Sequence, residues 1–541
     1  MAQIGANIKD FSLGAFSRMT QSSHQQRIKQ AQDALNTLAQ QVDRSVYPGF
    51  HLAPPAGWMN DPNGVIYHQG YYHVFYQHHP FSPQEAQLIY WGHARSKDLC
   101  RWEHLPIALA PSIEEDRDGC FSGCAVVNDQ DRLCLIYTAH RWAGEWGDDR
   151  YVNEVQVIAV SQDGIHFDEK QVIIRDPPVA GVTHFRDPRV WREGKLWRMI
   201  IGFRTDDDNG QGIGHVALYN SDDLYHWTFD SIFASDDGQL PPGQRAFMWE
   251  CPDFFPLDGR HVLMMSPQGL HDPEEKKYLN LFQNGYLLGH YRAGRFTPET
   301  VFEELDYGHE FYAAQSIEGP NGRRVLIAWF DMWANDKPSQ LHGWAGMMTL
   351  PRDLRIQGDR LCMTPAPELV GLRLNHSAQV LPCPRVDDGQ TFPLPIGDHP
   401  LMEIELDIDL AATTARTFGI DFHVDDASGA KTRICIDRDQ HCLILDRTFT
   451  GSSPSQSSFT RRSPLPEGAL LRLHIFLDRP SIELFVGNER NVGLYSLSSR
   501  VFPSPDRKKQ TQLFAQAGTM VVKKIHHWPL KDTFHFEPLT P

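Results

Sequence analysis

The sequence has few of the features that mark secreted, membrane-spanning or nucleic-acid-binding proteins. Its nine cysteines are an odd number and form no CxxC pair, which favours reduced thiols over a disulfide framework. No apolar run approaches the roughly 20 residues that a membrane-spanning helix needs. The first residues show no basic segment followed by an apolar one, so no secretory signal is expected. These absences predict a soluble, cytoplasmic protein that does not bind a membrane.

Positive charge is also scarce. Lys and Arg number 51 against 68 Asp and Glu, so the formal net charge is −17. A protein that binds nucleic acid without sequence preference needs a surplus of Lys and Arg, so no nucleic-acid partner is expected. Aromatic residues are plentiful and suit both a core and the stacking of sugar rings. A small-molecule substrate is therefore expected, and a homo-oligomer stays open.

The histidines do not form a recognisable metal-binding pattern. No pair has HxxxH or HExxH spacing, and the adjacent His78 and His79 point to opposite faces if they lie in a strand. No glycine-rich loop leads from a strand into a helix, so no nucleotide site is predicted either. We expect no metal and no cofactor.

One amphipathic helix is predicted near the N-terminus, over residues 24–46. Its apolar residues are spaced by three and four positions, as in one face of a helix: Ile28, Ala31, Leu35, Leu38 and Val42. Pro48 and Gly49 follow it and end the pattern. Two heptads are too few for a coiled coil, so we expect this N-terminal extension (residues 1–46) to dock on the domain that follows. The alternative is an oligomerisation helix.

From residue 47 the pattern changes to strands and repeats. Each unit has a short strand, a Gly/Asp turn and a more apolar strand, and the units begin 62, 64, 64 and 61 residues apart, at Asn60, Ser122, Arg186, Glu250 and Phe311. A second signature keeps this period: SKDLCRW (96–102), SQDGIHF (161–167) and SDDLYHW (221–227). Five all-β repeats predict a five-bladed β-propeller over residues 47–355. The alternative is a long β-sandwich whose segments are similar by chance.

The repeat ends near residue 355. The segment 356–378 contains Pro365 and Pro367 and is predicted to be a linker. Beyond it apolar and polar residues alternate, as in MEIELDIDL (402–410), which is typical of an antiparallel sheet with one face on a core. We therefore predict a C-terminal β-sandwich over residues 379–541. The predicted fold class is all-β: a five-bladed β-propeller followed by a C-terminal β-sandwich, with a short N-terminal helix.

Three acidic residues stand where repeats open: Asp61, Asp187 and Glu250. Equivalent positions of propeller blades converge at one end of the central channel, so these carboxyl groups are expected to meet. Crowded carboxylates raise at least one pKa, so one acid can stay protonated while another is ionised. Such a pair, roughly 5–5.5 Å apart, cleaves glycosidic bonds with retention of configuration. A single Asp in a Pro/Gly turn is usually structural; the repetition predicts catalysis.

These acids lie within motifs that resemble glycoside hydrolase family 32, the invertases and related β-fructofuranosidases. WMNDPNG (58–64), FRDP (185–188) and WECPDF (249–254) are similar to its three signatures. Further matches are FYQHHP (75–80), DYGHEFYAAQS (306–316), GWAGMMTLPRDL (343–354) and DRPSIELFVGN (478–488). The resemblance runs from about residue 47 to the C-terminus, and is greatest to bacterial intracellular sucrose or sucrose-6-phosphate hydrolases. It implies the same propeller and sandwich.

The resemblance also implies a role for each matching residue. Asp61 would be the nucleophile that forms a covalent fructosyl-enzyme, and Glu250 the acid that protonates the leaving oxygen and then activates water. Asp187 would hold fructose hydroxyl groups and stabilise the oxocarbenium-like transition state. The implied substrate-binding residues are Asn60, Gln77, Trp91, Phe121, Ser122, Arg186 and Tyr312.

Three functions remain open at this stage. The first is a retaining β-fructofuranosidase acting on sucrose, sucrose-6-phosphate or short fructans. The second is a fructosyltransferase that uses the same residues. The third is a noncatalytic sugar-binding propeller, which is disfavoured because all three acids are present. Ala86 and Gln87 stand about where family members carry Trp and Gly, so the pocket wall is expected to differ there.

Overall fold

The computed structural model of the protein describes residues 24–84, 88–148, 150–236, 239–272, 274, 276–375, 378–397, 399–451, 458–504 and 510–539. In these ranges the chain is built of strands arranged in seven sheets, so the predicted all-β class is confirmed. No helix in the same ranges is long and apolar enough to cross a membrane. The altered segment at Ala86 and Gln87 lies outside the described residues.

The N-terminal helix α1 spans His24–Ala39 and packs on the first sheet. The side chains it buries include three of the predicted apolar positions: Ile28, Ala31 and Leu35. The prediction that one helix continues to residue 46 is wrong, because helix α1 ends at Ala39. Asp43 accepts a hydrogen bond from the Ser45 backbone N–H (2.9 Å) and so caps a separate 3-10 turn, Arg44–Val46.

Five sheets follow one another along the chain. Sheet 1 contains β1 (Gly57–His68), β2 (Tyr71–His79), β3 (Tyr90–Ser96) and β4 (Glu103–Leu109). Sheet 2 contains β5 (Gly119–Val127), β6 (Leu133–Trp142), β7 (Val152–Ser161) and β8 (Phe167–Ile174). Sheet 3 contains β9 (His184–Glu193), β10 (Leu196–Asp206), β11 (Gly212–Ser221) and β12 (Thr228–Ser235).

The next two sheets have the same antiparallel plan. Sheet 4 contains β13 (Met248–Leu257), β14 (Arg260–Gln268), β15 (Gly285–Arg292), β16 (Arg295–Pro298) and β17 (Glu303–Glu304). Sheet 5 contains β18 (Tyr312–Glu318), β19 (Arg324–Trp329), β21 (Arg352–Gln357) and β22 (Arg360–Pro365). Sheet 5 thus extends beyond the predicted boundary at residue 355, because β22 pairs with β21. Three further 3-10 turns are Pro320–Gly322, Pro338–His342 and Pro367–Leu372.

The opening strands of the five sheets lie next to one another. Strand β1 contacts β5, β5 contacts β9, β9 contacts β13, β13 contacts β18, and β18 contacts β1. The short strand β20 (Trp344–Ala345) comes late in the chain but pairs in parallel with Gly57 and Trp58 of β1. The edge strand of the first sheet therefore comes from a segment that follows sheets 2, 3 and 4 in the sequence and lies between β19 and β21 of sheet 5.

The second repeated signature forms the same turn in sheets 1, 2 and 3. In each, a Ser hydroxyl and an Asp carboxylate accept hydrogen bonds from the backbone N–H groups of the turn between the third and fourth strands. The pairs are Ser96 with Asp98, Ser161 with Asp163, and Ser221 with Asp223. Because these side chains replace backbone partners, the repeated sequence encodes a repeated turn.

The C-terminal region forms two sheets that share one hydrophobic core. Sheet 6 contains β23 (Gln379–Val380), β24 (Arg385–Val386), β26 (Met402–Asp409), β31 (Leu470–Asp478), β32 (Ser481–Asn488), β33 (Tyr495–Arg500) and β35 (Met520–Pro529). Sheet 7 contains β25 (Thr391–Pro393), β27 (Thr417–Asp425), β28 (Ala430–Asp437), β29 (Cys442–Phe449), β30 (Thr460–Pro464) and β34 (Gln510–Gln516). The alternating residues Met402 to Leu410 lie in this core, as predicted.

Buried ion pairs join the C-terminal sheets to the sheets before them. His51 Nδ1 is 2.7 Å from Asp478 Oδ2, and its Nε2 is 2.8 Å from Glu483 Oε1. Arg352 pairs with Asp306 (2.9 Å) and with Glu483 (2.5 Å), and all of these side chains are buried. Charges this deep are tolerated because each one has an opposite partner.

Candidate active site

The opening strand of each of sheets 1–5 is interrupted at the same place by a β-bulge. The regular pairing breaks in five equivalent segments: Met59–Pro62, Cys120–Gly123, Arg186–Arg189, Glu250–Asp253 and Tyr312–Gln315. A bulge frees residues from the ladder and redirects their side chains. Asp61 and Asp187 lie inside two of these bulges and Glu250 begins a third, so the repeat delivers three carboxyl groups to one place.

Three of the bulges hold a residue other than glycine in the left-handed backbone region. The φ angles are 69° at Asp187, 47° at Cys251 and 52° at Ala313. Such conformations cost of order 1–3 kcal/mol each and need support from their surroundings. The Cys251 N–H donates to Asp187 Oδ2 (2.9 Å), and the Asp187 N–H donates to Thr138 Oγ1 (3.0 Å). Neither Cys251 nor Thr138 was predicted to belong to the site.

The three acids line a single cavity of about 600 Å³. Of the predicted substrate-binding residues, four line the same cavity: Gln77, Phe121, Arg186 and Tyr312. Asn60 and Ser122 are buried behind it and contact Asp61 instead. The structure therefore brings nine of the ten predicted site residues together.

Trp91 is the exception. It is fully buried in β3, and its indole N–H donates to the backbone carbonyls of Cys120 (3.1 Å) and Phe121 (3.2 Å). Its ring packs in the core between sheets 1 and 2, so it supports the second bulge from behind and does not line the cavity. The predicted contact between Trp91 and the sugar is corrected to this supporting role.

A chain of hydrogen bonds ends on both oxygens of Asp61. Trp58 Nε1 donates to Asn60 Oδ1 (2.8 Å), and Asn60 Nδ2 donates to Gln77 Oε1 (2.7 Å) and to Asp61 Oδ1 (3.1 Å). Gln77 Nε2 donates to Ser122 Oγ (2.5 Å), whose hydroxyl donates to Asp61 Oδ2 (2.7 Å). An indole N–H can only donate, so it sets the direction of the whole chain. Asp61 is left as an acceptor, the role of a carboxylate.

The pKa values of Asp61 and Asp187, the two more buried acids of the cavity, are raised. Burial raises the pKa of Asp61, the hydrogen bond from Ser122 opposes this, and the negative charge of Glu250 raises it further. Burial and the charge of Glu250 raise the pKa of Asp187 to about 8, against the opposing effects of Arg186 and the Cys251 N–H. Burial and the repulsion between neighbouring carboxylates therefore act together to favour the protonated forms of Asp61 and Asp187.

Glu250 accepts strong hydrogen bonds at both oxygens. Arg186 donates to Oε1 through Nε (3.0 Å) and Nη2 (2.6 Å), and the Tyr312 hydroxyl donates to Oε2 (2.5 Å). Burial and the nearby Glu250 raise the pKa of Tyr312 well above its ordinary value, so the phenol keeps its proton. Glu250 is the most accessible of the three acids, with 15% of its side chain exposed.

Glu154 is a member of the site that was not predicted. It lines the cavity, accepts a hydrogen bond from the Phe185 N–H (2.6 Å), and lies 3.4 Å from Arg186 Nη1 and 3.3 Å from His140 Nδ1. Burial would raise its pKa, but the charge of Arg186 and the hydrogen bond with His140 hold it below the usual range. It belongs to no recognised motif; an acid in the apolar strand β7 was the sole signal.

Family models match nearly the whole of the chain beyond the N-terminal helix. The model for the glycosyl hydrolases family 32 N-terminal domain matches residues 51–365, and the model for the family 32 C-terminal domain matches residues 370–529. The chain belongs to glycoside hydrolase family 32. This family 32 enzyme is a glycoside hydrolase, as the resemblance implied, and the noncatalytic alternative is set aside.

Family 32 relatives cover almost the whole enzyme. The chain is 51% identical over 486 residues to a sucrose-6-phosphate hydrolase of Zymomonas mobilis, covering 90% of this chain and 92% of the relative. It is 41% identical over 510 residues to a raffinose invertase of Escherichia coli, covering 93% and 99%. A solved mutant of a Bombyx mori family 32 β-fructofuranosidase in complex with sucrose superposes with a TM-score of 0.78 at 32% identity, covering 94% and 98%.

Proposed function

We propose that this family 32 enzyme is a retaining β-fructofuranosidase that hydrolyses sucrose and related unphosphorylated fructosides. The observation that carries the proposal is the convergence of Asp61, Asp187 and Glu250 on one cavity in three different hydrogen-bonding environments. Asp61 accepts from neutral donors, whereas Glu250 accepts from a guanidinium and a phenol. Two carboxyl groups with distinct surroundings are what a nucleophile and an acid require.

In the first step Asp61 attacks the anomeric carbon of the fructosyl unit. The Asp61 carboxylate forms a bond to this carbon while the bond to the glycosidic oxygen breaks, and Glu250 gives its proton to that oxygen. The hydroxyl of Ser122 and the amide of Asn60 hold the attacking carboxylate in one orientation. The products of this step are the released alcohol and a covalent fructosyl-enzyme.

In the second step water replaces Asp61. Glu250, now ionised, takes a proton from the water as the water oxygen bonds to the anomeric carbon, and the bond to Asp61 breaks. Arg186 and Tyr312 stabilise the ionised Glu250 between the two steps. The sugar is released with its original configuration because the carbon has been inverted twice.

We propose that the remaining cavity residues recognise fructose. Asp187 lies near Asp61, because the Cys251 thiol is 3.7 Å from Asp187 Oδ2 and 3.6 Å from Asp61 Oδ2. It accepts hydrogen bonds from hydroxyl groups of the ring as positive charge develops on the ring. Gln77 and Arg186 offer donors at the cavity wall, and the ring of Phe121 offers an apolar face. Asn60 and Ser122 act through Asp61 rather than through the sugar.

The charges around the cavity favour an uncharged substrate over a phosphorylated one. Among the described lining residues five are Asp or Glu: Asp61, Asp118, Glu154, Asp187 and Glu250. The Arg residues among them, Arg186 and Arg204, are already paired with Glu250 and Asp206. Burial and the charge of Arg186 lower the pKa of His184 to about 3, so this side chain is neutral. A phosphate dianion needs converging cationic donors, which the described residues of this wall do not supply.

Sucrose-6-phosphate remains the second candidate substrate, because the Zymomonas mobilis relative is a sucrose-6-phosphate hydrolase. Sucrose itself is supported by the Bombyx mori complex. Transfer of fructose to another sugar uses the same first step and differs in whether water or a sugar hydroxyl attacks the intermediate.

A single comparison tests the proposal. Release of glucose and of glucose-6-phosphate is measured side by side on sucrose, sucrose-6-phosphate, raffinose and inulin, with fructose and fructosylated products followed by chromatography. We expect kcat/KM to be at least tenfold higher on sucrose than on sucrose-6-phosphate, with free fructose as the main product. A preference for the phosphorylated sugar would overturn the uncharged-substrate argument, and fructosylated sugars as the main product would favour a transferase.

We also propose the architecture that positions the site. Sheets 1–5 form a closed five-bladed propeller, supported by the contacts of each opening strand with the next and of β18 with β1. Sheets 6 and 7 form a C-terminal β-sandwich, with the boundary in residues 366–378, after β22. A cytoplasmic location is supported by nine free cysteines, seven of them buried.

A further inference from the structure

A continuous series of aromatic rings leads from the catalytic acids to the mouth of the cavity. Phe121, next to Ser122 in the chain, stacks on His140 with centroids 4.0 Å apart and planes 2° apart. His140 meets the edge of Trp142 (4.4 Å, 82°), and Trp142 meets Trp146 (6.0 Å, 63°). All four rings line the cavity. The cavity therefore has an aromatic wall that runs from Phe121 to Trp146, against which a sugar chain can pack.

Trp146 is unusually exposed for so large an apolar side chain, at 59%. It lies in the loop between β6 and β7 (residues 143–151). Two backbone hydrogen bonds close this loop: the Ala143 N–H donates to the Tyr151 carbonyl (2.7 Å), and the Tyr151 N–H donates to the Asp148 carbonyl (3.1 Å). Single exposed apolar residues are common on protein surfaces. Trp146 differs from such residues because its ring contacts Trp142 and lines the same cavity as the three acids.

A hydrogen-bond acceptor accompanies the outer rings. Asp118 lines the cavity and accepts a hydrogen bond from the Trp142 backbone N–H (2.9 Å), which fixes its carboxylate beside that ring. Sugars combine an apolar ring face with hydroxyl groups at its edge, so an indole face beside a carboxylate suits a sugar ring. Burial of aromatic surface with an adjacent polar partner is the usual way to hold such an amphipathic group.

We propose that Trp142, Trp146 and Asp118 form an additional sugar-binding site for a third ring of the substrate, on the side of the leaving group. The ligand class is a trisaccharide or longer oligosaccharide with a terminal fructosyl unit, such as raffinose or 1-kestose. This inference rests on the proposed fructosidase function, which assigns fructose to the deep end near Asp61 and the next sugar to the region around Glu250. The third ring then reaches the aromatic mouth, while sucrose stops short of it.

The test compares Trp146→Ala with the wild type on sucrose, raffinose and 1-kestose. We expect kcat/KM on the two trisaccharides to fall about three- to tenfold, mainly through KM, because a stacking contact is lost. On sucrose the change stays within twofold. Equal losses on sucrose and the trisaccharides, or no loss on the trisaccharides, would overturn the proposed site.

Tyr151→Ala is the matched control. Tyr151 belongs to the same loop and is 57% exposed, but it does not line the cavity. If it reproduced the selective loss, the loop rather than the Trp146 ring would be responsible and the proposal would fail. A binding test separates this site from the catalytic proposal. In calorimetry, raffinose should bind the variant Asp61→Asn at least threefold more tightly than the double variant Asp61→Asn/Trp146→Ala. This result does not depend on which substrate the enzyme hydrolyses.

Discussion

The two oxygens of Asp61 accept hydrogen bonds from a hydroxyl and an amide, whereas those of Glu250 accept from a guanidinium and a phenol. Neutral donors orient a carboxylate without cancelling its charge, which suits the proposed role of Asp61 as the nucleophile. In the proposed mechanism, the charged guanidinium of Arg186 and the neutral phenol of Tyr312 stabilise Glu250 after it has given its proton away. The division of labour between the acids therefore follows from their immediate neighbours.

Asp61→Asn should reduce kcat by several orders of magnitude without unfolding the protein, because the amide cannot form the fructosyl ester but keeps the size of the carboxylate. The measurement is single-turnover and steady-state hydrolysis of sucrose, with circular dichroism as the folding control. Residual activity within tenfold of the wild type would contradict the assignment of the nucleophile.

Glu250→Gln should lose far more activity on sucrose than on an aryl fructoside with a good leaving group. Such a leaving group departs without protonation, so removal of the acid matters less for bond cleavage. The ratio of kcat/KM values between variant and wild type on the two substrates measures this. Equal losses on both would argue against the acid role.

Glu154→Gln should shift the basic limb of the pH profile of kcat/KM to lower pH. Glu154 and Glu250 share the charge of Arg186. With Glu154 neutral, the guanidinium acts on Glu250 alone and favours its ionised form, so the acid is lost at lower pH. A lower rate with an unchanged profile would instead indicate a purely structural role. Trp146→Ala, which removes an uncharged side chain, is the control and should leave the limb in place.

At the scale of secondary-structure elements, the repeated bulge explains how a chain with 60-residue spacing builds a compact site. The sequence predicted the repeats, the three acids and most of their neighbours, because turn residues and acids recur at one period and in recognisable motifs. It did not reveal the bulges themselves, because most of these opening strands are buried on both faces and so lack the polar and apolar alternation that an extra residue would shift. The position of Trp91 was not predicted because it depends on the packing of sheet 1 against sheet 2, which one sequence does not specify.

The end of helix α1 and the role of Glu154 illustrate a second limit. The helical periodicity of the sequence continues to Val42, but the helix ends at Ala39 and Asp43 has an extended backbone, from which it caps the separate 3-10 turn Arg44–Val46. Glu154 reaches the site through the pairing of β7 with β6, opposite His140. Contacts between distant positions of this kind depend on register, which one sequence does not specify.

Gly346→Ala should damage the strand that carries the nucleophile. Gly346 has φ +76°, and a Cβ there would lie 1.9 Å from the backbone oxygen of Met59, two residues before Asp61. We expect the free energy of unfolding to fall by about 2–4 kcal/mol and kcat to fall as well. Urea unfolding and sucrose hydrolysis measure the two effects.

Gly358→Ala is the matched control for this variant. Gly358 also has a positive φ, +61°, but a Cβ there would meet nothing within 4 Å. It should cost about 1 kcal/mol of stability through backbone strain alone and leave kcat unchanged. Identical behaviour of the two variants would mean that the close approach to Met59 has no effect on the site.

At the scale of the whole molecule, the buried His51 makes the junction between the N-terminal and C-terminal sheets sensitive to pH. Burial alone would lower its pKa, but the hydrogen bonds and charges of Asp478 and Glu483 outweigh burial and raise the pKa to about 9. The folded pKa therefore lies above the ordinary value of about 6.5. The stabilisation is complete below that value and is lost as the pH rises through about 9.

Urea unfolding midpoints of the wild type and of His51→Gln, measured from pH 6 to pH 10, test this. The wild type should lose on the order of 1–3 kcal/mol relative to the variant across this range, because only the wild type carries the titrating imidazolium. The difference between the two proteins removes the contribution of other titrating groups. A difference that does not change with pH would contradict a charged His51.

The pairing of β20 with β1 has a consequence for how the enzyme is made. About 290 positions separate Gly57 from Trp344, and a ribosome adding about 5–20 residues per second needs roughly 15–60 s to synthesise them. For that time the edge of the strand that carries the nucleophile is without its final neighbour on the growing chain. An unpaired strand edge is a template for aggregation. The step most exposed to misfolding is thus the period in which the first sheet lacks its two-residue edge strand, which is synthesised between β19 and β21 of the fifth sheet.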